Sequence, residues 1–278
     1  MRNTDWESLG LVNDFLFSKV MRNKELCKEM LQRILDIEIE RIEYPEPQKS
    51  IDEDKDARSI RLDIYAKDGK GTVYNVEIQT SDTKSLPKRS RYYQSMLDLQ
   101  ELNKGVFYDK LSKSYIIFIC TFDLFGQGRH KYTFEHRCTE DLNLKLGDGA
   151  TKIFLNTAGI LDDVSEELKA FLNYLNEGKA QDTYTERLEE EVQIAKQNRE
   201  WRREYMTLQM RDLENIERGK EAGRAEGRAE GRADGRAEAE KAMSCLMQRL
   251  LSENRYNDLQ RAVTDKDYRE ALYRKYHL

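Results

Sequence analysis

The hydrophobic positions near the start of the chain follow two different periods. Residues 11–36 carry apolar side chains at helical spacing, which predicts one amphipathic helix. A shorter run, 37–44, alternates apolar and polar residues and ends before Pro45, so it predicts a strand. The segment 59–80 has two alternating runs around an Asp-Gly-Lys-Gly turn and predicts a β-hairpin. The chain is therefore expected to begin as a helix followed by antiparallel strands.

The next segments alternate between helix and strand patterns. Residues 85–105 predict a helix, because Pro87 suits its first turn and Gly105 suits its C-terminal cap. The continuous apolar run 114–122 predicts a buried central strand. Three later patterns predict an exposed strand, a further strand and a helix, at 129–138, 151–157 and 163–176. Together these elements predict an α/β domain over residues 1–180.

The composition changes near residue 180, and residues 181–278 are expected to form a charged helical extension. Its first part, 183–218, has an apolar stripe close to coiled-coil spacing that loses register near residue 198. A repeat follows, whose glycines recur every four residues at Gly219, Gly223, Gly227, Gly231 and Gly235. Each glycine lowers helix stability by about 1 kcal/mol relative to alanine, whereas the residues between them are strong helix formers. The repeat is therefore either a marginal helix or a flexible spacer.

The overall composition narrows the possible function classes. Of 278 residues, 36% are charged, and the formal net charge of −5 argues against a broadly cationic nucleic-acid binder. The four cysteines form no Cys-x-x-Cys pair, which favours a reducing compartment, and we expect a cytoplasmic location. The start of the chain does not match a secretory signal peptide, and no stretch reaches about 18 apolar residues. No membrane partner is expected.

Candidate chemistry lies on the polar face of the predicted hairpin. Glu77 and Gln79 flank Ile78 and share one strand face, and a register in which paired positions sum to 140 places Asp63 opposite Glu77. That register leaves a three-residue loop, 69–71, in which glycine is available for a positive φ. Opposed carboxylates would repel unless a cation lay between them, and hard oxygen ligands suit Mg²⁺ or Mn²⁺. An edge hairpin with a hydrated polar face is the alternative interpretation.

The order of these residues resembles a known nuclease signature. An aspartate (Asp63), a short turn, a Glu-x-Lys-like strand (Glu77 to Gln79) and a following helix are typical of the PD-(D/E)XK nuclease superfamily. Together with the Asn-Asp-Phe-Leu-Phe sequence near the N-terminus, the Arg-Ser-Arg-Tyr-Tyr sequence at the helix start and the glycine-arginine tail, residues 12–180 resemble the Rpn family. That family comprises recombination-promoting nucleases that are often labelled transposases. The resemblance implies a restriction-endonuclease-like mixed sheet flanked by helices, followed here by a long C-terminal helical extension.

The resemblance also implies roles for individual residues. Asp63 and Glu77 would be metal ligands, together with the backbone carbonyl of Ile78 and, near the N-terminus, Asp14. The activity implied is Mg²⁺- or Mn²⁺-dependent hydrolysis of DNA phosphodiesters in recombination, mobility or defence. Asp14 could instead be an ordinary residue at the start of a helix. Gln79 stands where the superfamily has lysine, and because glutamine only forms hydrogen bonds, a second metal ion or another residue would have to supply the missing positive charge.

The start of the predicted helix at residue 85 is basic, although cations oppose the helix dipole there by a few tenths of a kcal/mol each. Contact with DNA phosphates would explain their presence, and ordinary solvated charge is the alternative. The candidate DNA-binding residues are Lys84, Lys88, Arg89, Arg91 and Tyr92. Lys88 and Arg91 are also candidates for the charge that Gln79 lacks. Tyr92 could bond a phosphate or pack against the sheet, and any DNA binding is expected to be largely backbone-directed.

A second hypothesis belongs to another functional class. In it the chain is a catalytically decayed nuclease scaffold that binds DNA or assembles with partners through its helical tail. An active site would hold Asp63 and Glu77 within about 5–6 Å of each other around a cation. A decayed site would hold them apart or paired with lysine or arginine. Self-association through 183–218 and 240–265 would make the protein a homodimer.

Overall fold

The computed structural model describes residues 5–44, 50–51, 60–101 and 107–278. These fall into two compact units, one ending at Tyr205 and the other beginning at Met206. The proposed boundary at residue 180 between a nuclease-like domain and its extension remains a prediction. By contacts alone, the first unit continues past that point into the following helices.

The first unit begins with two helices, α1 (Asp14–Val20) and α2 (Lys24–Leu35). The prediction of one continuous helix over 11–36 is wrong at this point. The side chain of Asn13 accepts a hydrogen bond from the backbone of α1, and Asn23 does the same for α2. Each asparagine satisfies N–H groups that a helix start leaves without partners, so the chain ends one helix and starts another without changing the apolar spacing.

In the described residues, eight strands follow the two helices. In chain order they are β1 (Ile42–Glu43), β2 (Ser50–Ile51), β3 (Ile60–Arg61), β4 (Ile64–Asp68), β5 (Val73–Gln79), β6 (Ser114–Cys120), β7 (Lys131–Phe134) and β8 (Ala150–Asn156). Six of them form one sheet in the order β1-β4-β5-β6-β8-β7, and β2 pairs with β3 separately. The pairs β5–β6 and β6–β8 are parallel and the others antiparallel. The predicted mixed α/β sheet is thus confirmed.

Some hydrophobic patterns predicted the observed strands more accurately than others. All seven residues of β6 are buried between two parallel neighbours, as its continuous apolar run predicts. The alternating run 37–44 forms only the two-residue edge strand β1, because α2 ends with Asp36 in the left-handed region and pairing begins at Ile42. The hairpin 59–80 is confirmed by β4 and β5.

Helix α3 (Leu86–Glu101) covers one face of the sheet. Its buried side chains pack against apolar residues of the strands, and the cluster comprises Leu62, Tyr65, Val73, Leu86, Tyr93, Met96, Leu97, Ile116, Phe118, Cys120 and Phe154. Pro87 lies in the first turn of α3, as predicted. The predicted cap at Gly105 lies outside the described residues. The start of α3 lies beside the end of β5, where Arg89 donates hydrogen bonds to Glu77 and Gln79.

Helices α4 (Glu166–Glu177) and α5 (Thr183–Gln197) follow the sheet in the first unit. Helix α5 packs against α1, α2 and α4, and it buries Leu188 and Val192. The register break expected near residue 198 is a true helix end, because Asn198 caps the next helix with its side chain. Since α1 also contacts β5, α5 supports an element that lies beside the hairpin.

The next helix, α6 (Arg199–Ser252), is 54 residues long and contributes to both units. The glycine repeat is helical and exposed within it, so of the two alternatives the structure has the helix. The second unit ends with α7 (Tyr256–Thr264) and α8 (Lys266–Tyr276). A small core of Leu246, Leu250, Ala262 and Leu272 joins these helices to the end of α6. The predicted long C-terminal helical extension is confirmed. No helix in the described residues is long and apolar enough to span a membrane.

Candidate active site

The β4–β5 hairpin sets the geometry of the site through a well-defined loop. The register pairs Ile64 with Val76, so paired positions sum to 140 as predicted. Asp68 organises the loop by accepting hydrogen bonds from the backbone N–H of Lys70 and of Thr72 (both 2.9 Å). Gly71 has φ +83°, a conformation that favours glycine. The loop therefore fixes which residues of the two strands face each other.

Asp63 and Glu77 lie side by side at the open end of this hairpin. Asp63 forms a bend just before β4, and its N–H donates to Glu77 Oε1 at 3.2 Å. In return, the N–H of Ile78 donates to Asp63 Oδ2 at 3.1 Å. Each carboxylate thus accepts a hydrogen bond from the backbone beside the other. The two acids are held together rather than apart.

Glu77 occupies an unusual environment for a carboxylate. Its side chain is only 1% exposed. Burial, followed by the nearby charge of Asp63, raises the pKa of Glu77 well above its usual range, and the guanidinium of Arg89 acts in the opposite direction. A buried carboxylate beside a second acid is costly unless positive charge lies close by.

Arg89 provides that positive charge from the first turns of α3. Its Nη2 donates to Glu77 Oε2 and its Nη1 donates to Gln79 Oε1, both at 3.0 Å. Its Nε donates to the hydroxyl of Tyr93 at 2.9 Å, and its guanidinium lies 5.0 Å from the centre of that ring. The sequence pattern predicts only DNA contact for Arg89 and indicates Lys88 and Arg91 as substitutes for the missing charge. The structure places Arg89 beside Gln79 instead.

The two remaining predicted ligands lie along one cavity. Asp14, the first residue of α1, lines a cavity of about 500 Å³ together with Ile78 and Gln79. The Oδ1 atom of Asp14 accepts a hydrogen bond from the N–H of Phe15 at 2.7 Å. The carbonyl of Ile78 accepts a hydrogen bond from Gln79 Nε2 at 2.7 Å. Among the described residues no three His, Cys, Asp or Glu side chains form a metal-binding group, so Asp14 is not brought into a cluster with the carboxylate pair.

The other basic candidates surround the start of α3. Lys84, Lys88 and Arg91 are exposed, and Lys84 adopts φ +54° just before the helix. The two tyrosines differ: Tyr92 is 37% exposed, whereas Tyr93 is buried and contacts Phe118. Tyr92 does not pack in the core, and the tyrosine that touches the carboxylate-binding arginine is Tyr93. Sequence reasoning missed that role, although the four-residue spacing from Arg89 to Tyr93 places both on one helix face.

A family model for the PD-(D/E)XK nuclease family transposases matches residues 11–224. The chain belongs to this family. Searches of curated proteins and of solved structures gave no significant match. The matched span contains the whole six-stranded sheet, the hairpin with both carboxylates, α5 and the beginning of α6. The mixed sheet flanked by helices agrees with the PD-(D/E)XK fold, and the family membership indicates a nuclease- or transposase-like function.

Proposed function

We propose that this PD-(D/E)XK family member is a metal-dependent DNA endonuclease that acts in recombination, mobility or defence. The observation that carries the proposal is the pairing of Asp63 with Glu77 at the end of the β4–β5 hairpin, within the matched family region. These are the positions at which the superfamily signature has its acidic residues.

The donor set at this site fits a hard divalent cation. Asp63 and Glu77 offer carboxylate oxygens, Ile78 offers a backbone carbonyl, and all are ligands that Mg²⁺ or Mn²⁺ prefers. The burial of Glu77 supports this assignment, because a cation beside it would offset both the desolvation of its carboxylate and the repulsion from Asp63. When bound, such a cation would activate the attacking water and stabilise charge on the scissile phosphate. Asp14 would act as a further ligand from the cavity whose lining it shares with Ile78.

The remaining candidates would bind and orient the DNA. Gln79 would place its amide beside the reacting phosphate, and Arg89 would supply the charge that glutamine lacks. The exposed side chains of Lys84, Lys88 and Arg91 would contact backbone phosphates, which predicts binding that weakens as salt rises. The exposed Tyr92 would add a hydroxyl contact beside them.

Plasmid nicking by the full chain tests the proposal directly. The assay would be run at low salt with Mg²⁺, Mn²⁺ or EDTA, beside Asp63→Ala, Glu77→Ala and the matched surface control Glu190→Ala. We expect cutting that requires metal, is lost in both site variants and persists in the control. Cutting that survives either Asp63→Ala or Glu77→Ala would contradict the proposed site.

One observation favours a second candidate function. Glu77 is paired with Arg89, the arrangement expected of a catalytically decayed scaffold that binds DNA or assembles through its helical tail. Against that, Asp63 and Glu77 are not splayed apart. Retarded DNA in a binding assay, with no cutting in any metal, would favour the scaffold.

Two further parts of the proposal concern context. We infer a cytoplasmic location, which the free state of all four cysteines supports. We also infer a homodimer formed through the helical segments. Exposed apolar side chains on α6, such as Met206, Met210 and Leu213, support that inference.

A further inference from the structure

An internal hydrogen-bond bridge connects the ligands of the candidate metal site, whose role as a metal site rests on the proposed function. Three hydrogen bonds join Arg89, Gln79 and the backbone of β5 into one continuous bridge. Arg89 donates to Glu77 Oε2 and to Gln79 Oε1, and Gln79 Nε2 donates to the carbonyl of Ile78. Both ends of this Arg89–Gln79 bridge are therefore proposed metal ligands, the Glu77 carboxylate and the Ile78 carbonyl.

The chemistry of the two bridge residues explains why they occur together. The amide of Gln79 has an acceptor and a donor, so it can receive a hydrogen bond from Arg89 and give one to Ile78 at the same time. Lysine has donors only, and its ammonium beside the Arg89 guanidinium would add repulsion between like charges. Glutamine thus replaces the superfamily lysine at position 79, and Arg89 on α3 supplies the positive charge instead.

The guanidinium and a divalent cation would compete for the same carboxylate. Both oxygens of Glu77 already accept internal hydrogen bonds, one from the Asp63 N–H and one from Arg89. Arginine does not lose its proton in proteins, so its charge persists at any working pH. A metal ion at Glu77 would lie against this fixed charge unless Arg89 moved away.

Arg89 is partly exposed, and it contacts aromatic groups in addition to the carboxylate. Its side chain is 31% exposed, whereas that of Glu77 is 1% exposed. Its Nε already donates to the hydroxyl of Tyr93, and its guanidinium lies 5.6 Å from the ring centre of Phe118. The Tyr93 and Phe118 rings are thus alternative partners for the guanidinium when it turns away from the carboxylate as one planar group.

We propose that the Arg89–Gln79 bridge is a displaceable placeholder: it occupies the Glu77 and Ile78 ligands in the metal-free protein, and a divalent cation binds by releasing it. The released Arg89 charge then faces the scissile phosphate. Arg89 is in this sense a positioning residue with two opposed effects. It weakens metal binding, and it assists cleavage once the metal is bound.

Mn²⁺ titration of the full chain by calorimetry, without DNA, tests this pair of effects alongside the nicking assay. The variants are Arg89→Met, which removes the competing charge, and Arg137→Met, which makes the same charge change at an exposed site that follows β7, the far edge strand of the sheet. We expect Arg89→Met to bind Mn²⁺ about tenfold more tightly and to cut DNA at least tenfold more slowly. Arg137→Met should bind Mn²⁺ like the wild type. A merely structural role for Arg89 would weaken both binding and cutting.

Each outcome has a distinct meaning. If the wild type and Arg89→Met both bound Mn²⁺ with the same affinity, the placeholder would be overturned, while the metal site would stand. If neither the wild type nor Arg89→Met bound Mn²⁺, the proposed function would be overturned, and the placeholder with it. Binding in Arg89→Met alone would overturn displacement by the metal, because the bridge would then be a permanent ion pair in the wild type. Should Arg89→Met fail to fold by circular dichroism, Gln79→Ala breaks the same bridge, and it is also expected to tighten Mn²⁺ binding.

Discussion

Replacing Leu188 with alanine tests whether α5 is part of the folded unit that carries the site. The side chain of Leu188 is fully buried between α5 and its neighbours. Leucine-to-alanine changes at such positions cost about 2–5 kcal/mol, because they remove apolar contacts and leave a cavity. For a unit of about 200 residues, a loss of about 3 kcal/mol lowers Tm by roughly 6–12 °C. We expect a decrease of this size for Leu188→Ala.

Tryptophan fluorescence is the appropriate readout for this experiment. The chain has two tryptophans, Trp6 and Trp201, and both belong to the first unit. Thermal unfolding followed by their emission therefore reports on that unit and not on the residues after 205. The matched control is Leu99→Ala, on the exposed surface of α3 in the same unit, whose expected effect is within about 0.5 kcal/mol. If both variants unfolded at the wild-type temperature, α5 would not be packed as described.

The remaining predictions concern metal binding, acid stability and self-association. Mn²⁺ at about 100 times its Kd should stabilise the protein by about 2.7 kcal/mol and raise Tm, and EDTA or Asp63→Asn should remove the increase measured by fluorescence. In the hairpin loop, burial of Asp68 favours its neutral form, but hydrogen bonds from Tyr74, Thr72 and Lys70 outweigh this effect and lower its pKa. Asp68 therefore adds stability above its unfolded pKa of about 4 and loses it as the pH falls through the lower folded value, so Asp68→Asn should be less stable in urea at pH 7 and closer to wild type near pH 3. Light scattering should show a dimer for the full chain and a monomer for a chain ending at residue 205. If both chains were monomers, or if both were dimers, pairing through the tail would be contradicted.

The hairpin illustrates what the sequence pattern can predict. Its strands alternate with period two, and a loop with glycine at a positive-φ position permits one register, so the neighbours Asp63 and Glu77 followed from local rules. The break at Asn198 was also visible, because the apolar stripe loses its phase there. Such features depend on residues that are close in sequence.

Features that depend on packing were not predictable in this way. The interruption between α1 and α2 leaves the apolar spacing intact, and only the capping side chain of Asn23 marks it. The choice between Tyr92 and Tyr93 depends on how α3 is rotated about its axis when it docks on the sheet. The same rotation brings Arg89, rather than Lys88 or Arg91, to the carboxylate pair.

The glutamine at position 79 shows why a single departure from a motif is weak evidence for lost activity. Read along the strand, Gln79 removes a positive charge from the expected place. In the folded protein, its carbonyl oxygen accepts a hydrogen bond from Arg89, so a positive charge is present at the site after all, supplied by the next helix. The pairing of Arg89 with Glu77 is then ambiguous by itself, since a permanent ion pair and a displaceable one look alike in the metal-free protein. The sign of the change in metal affinity on removal of Arg89 distinguishes the two kinds of ion pair. If the guanidinium competes with the metal for Glu77, its removal makes metal binding tighter.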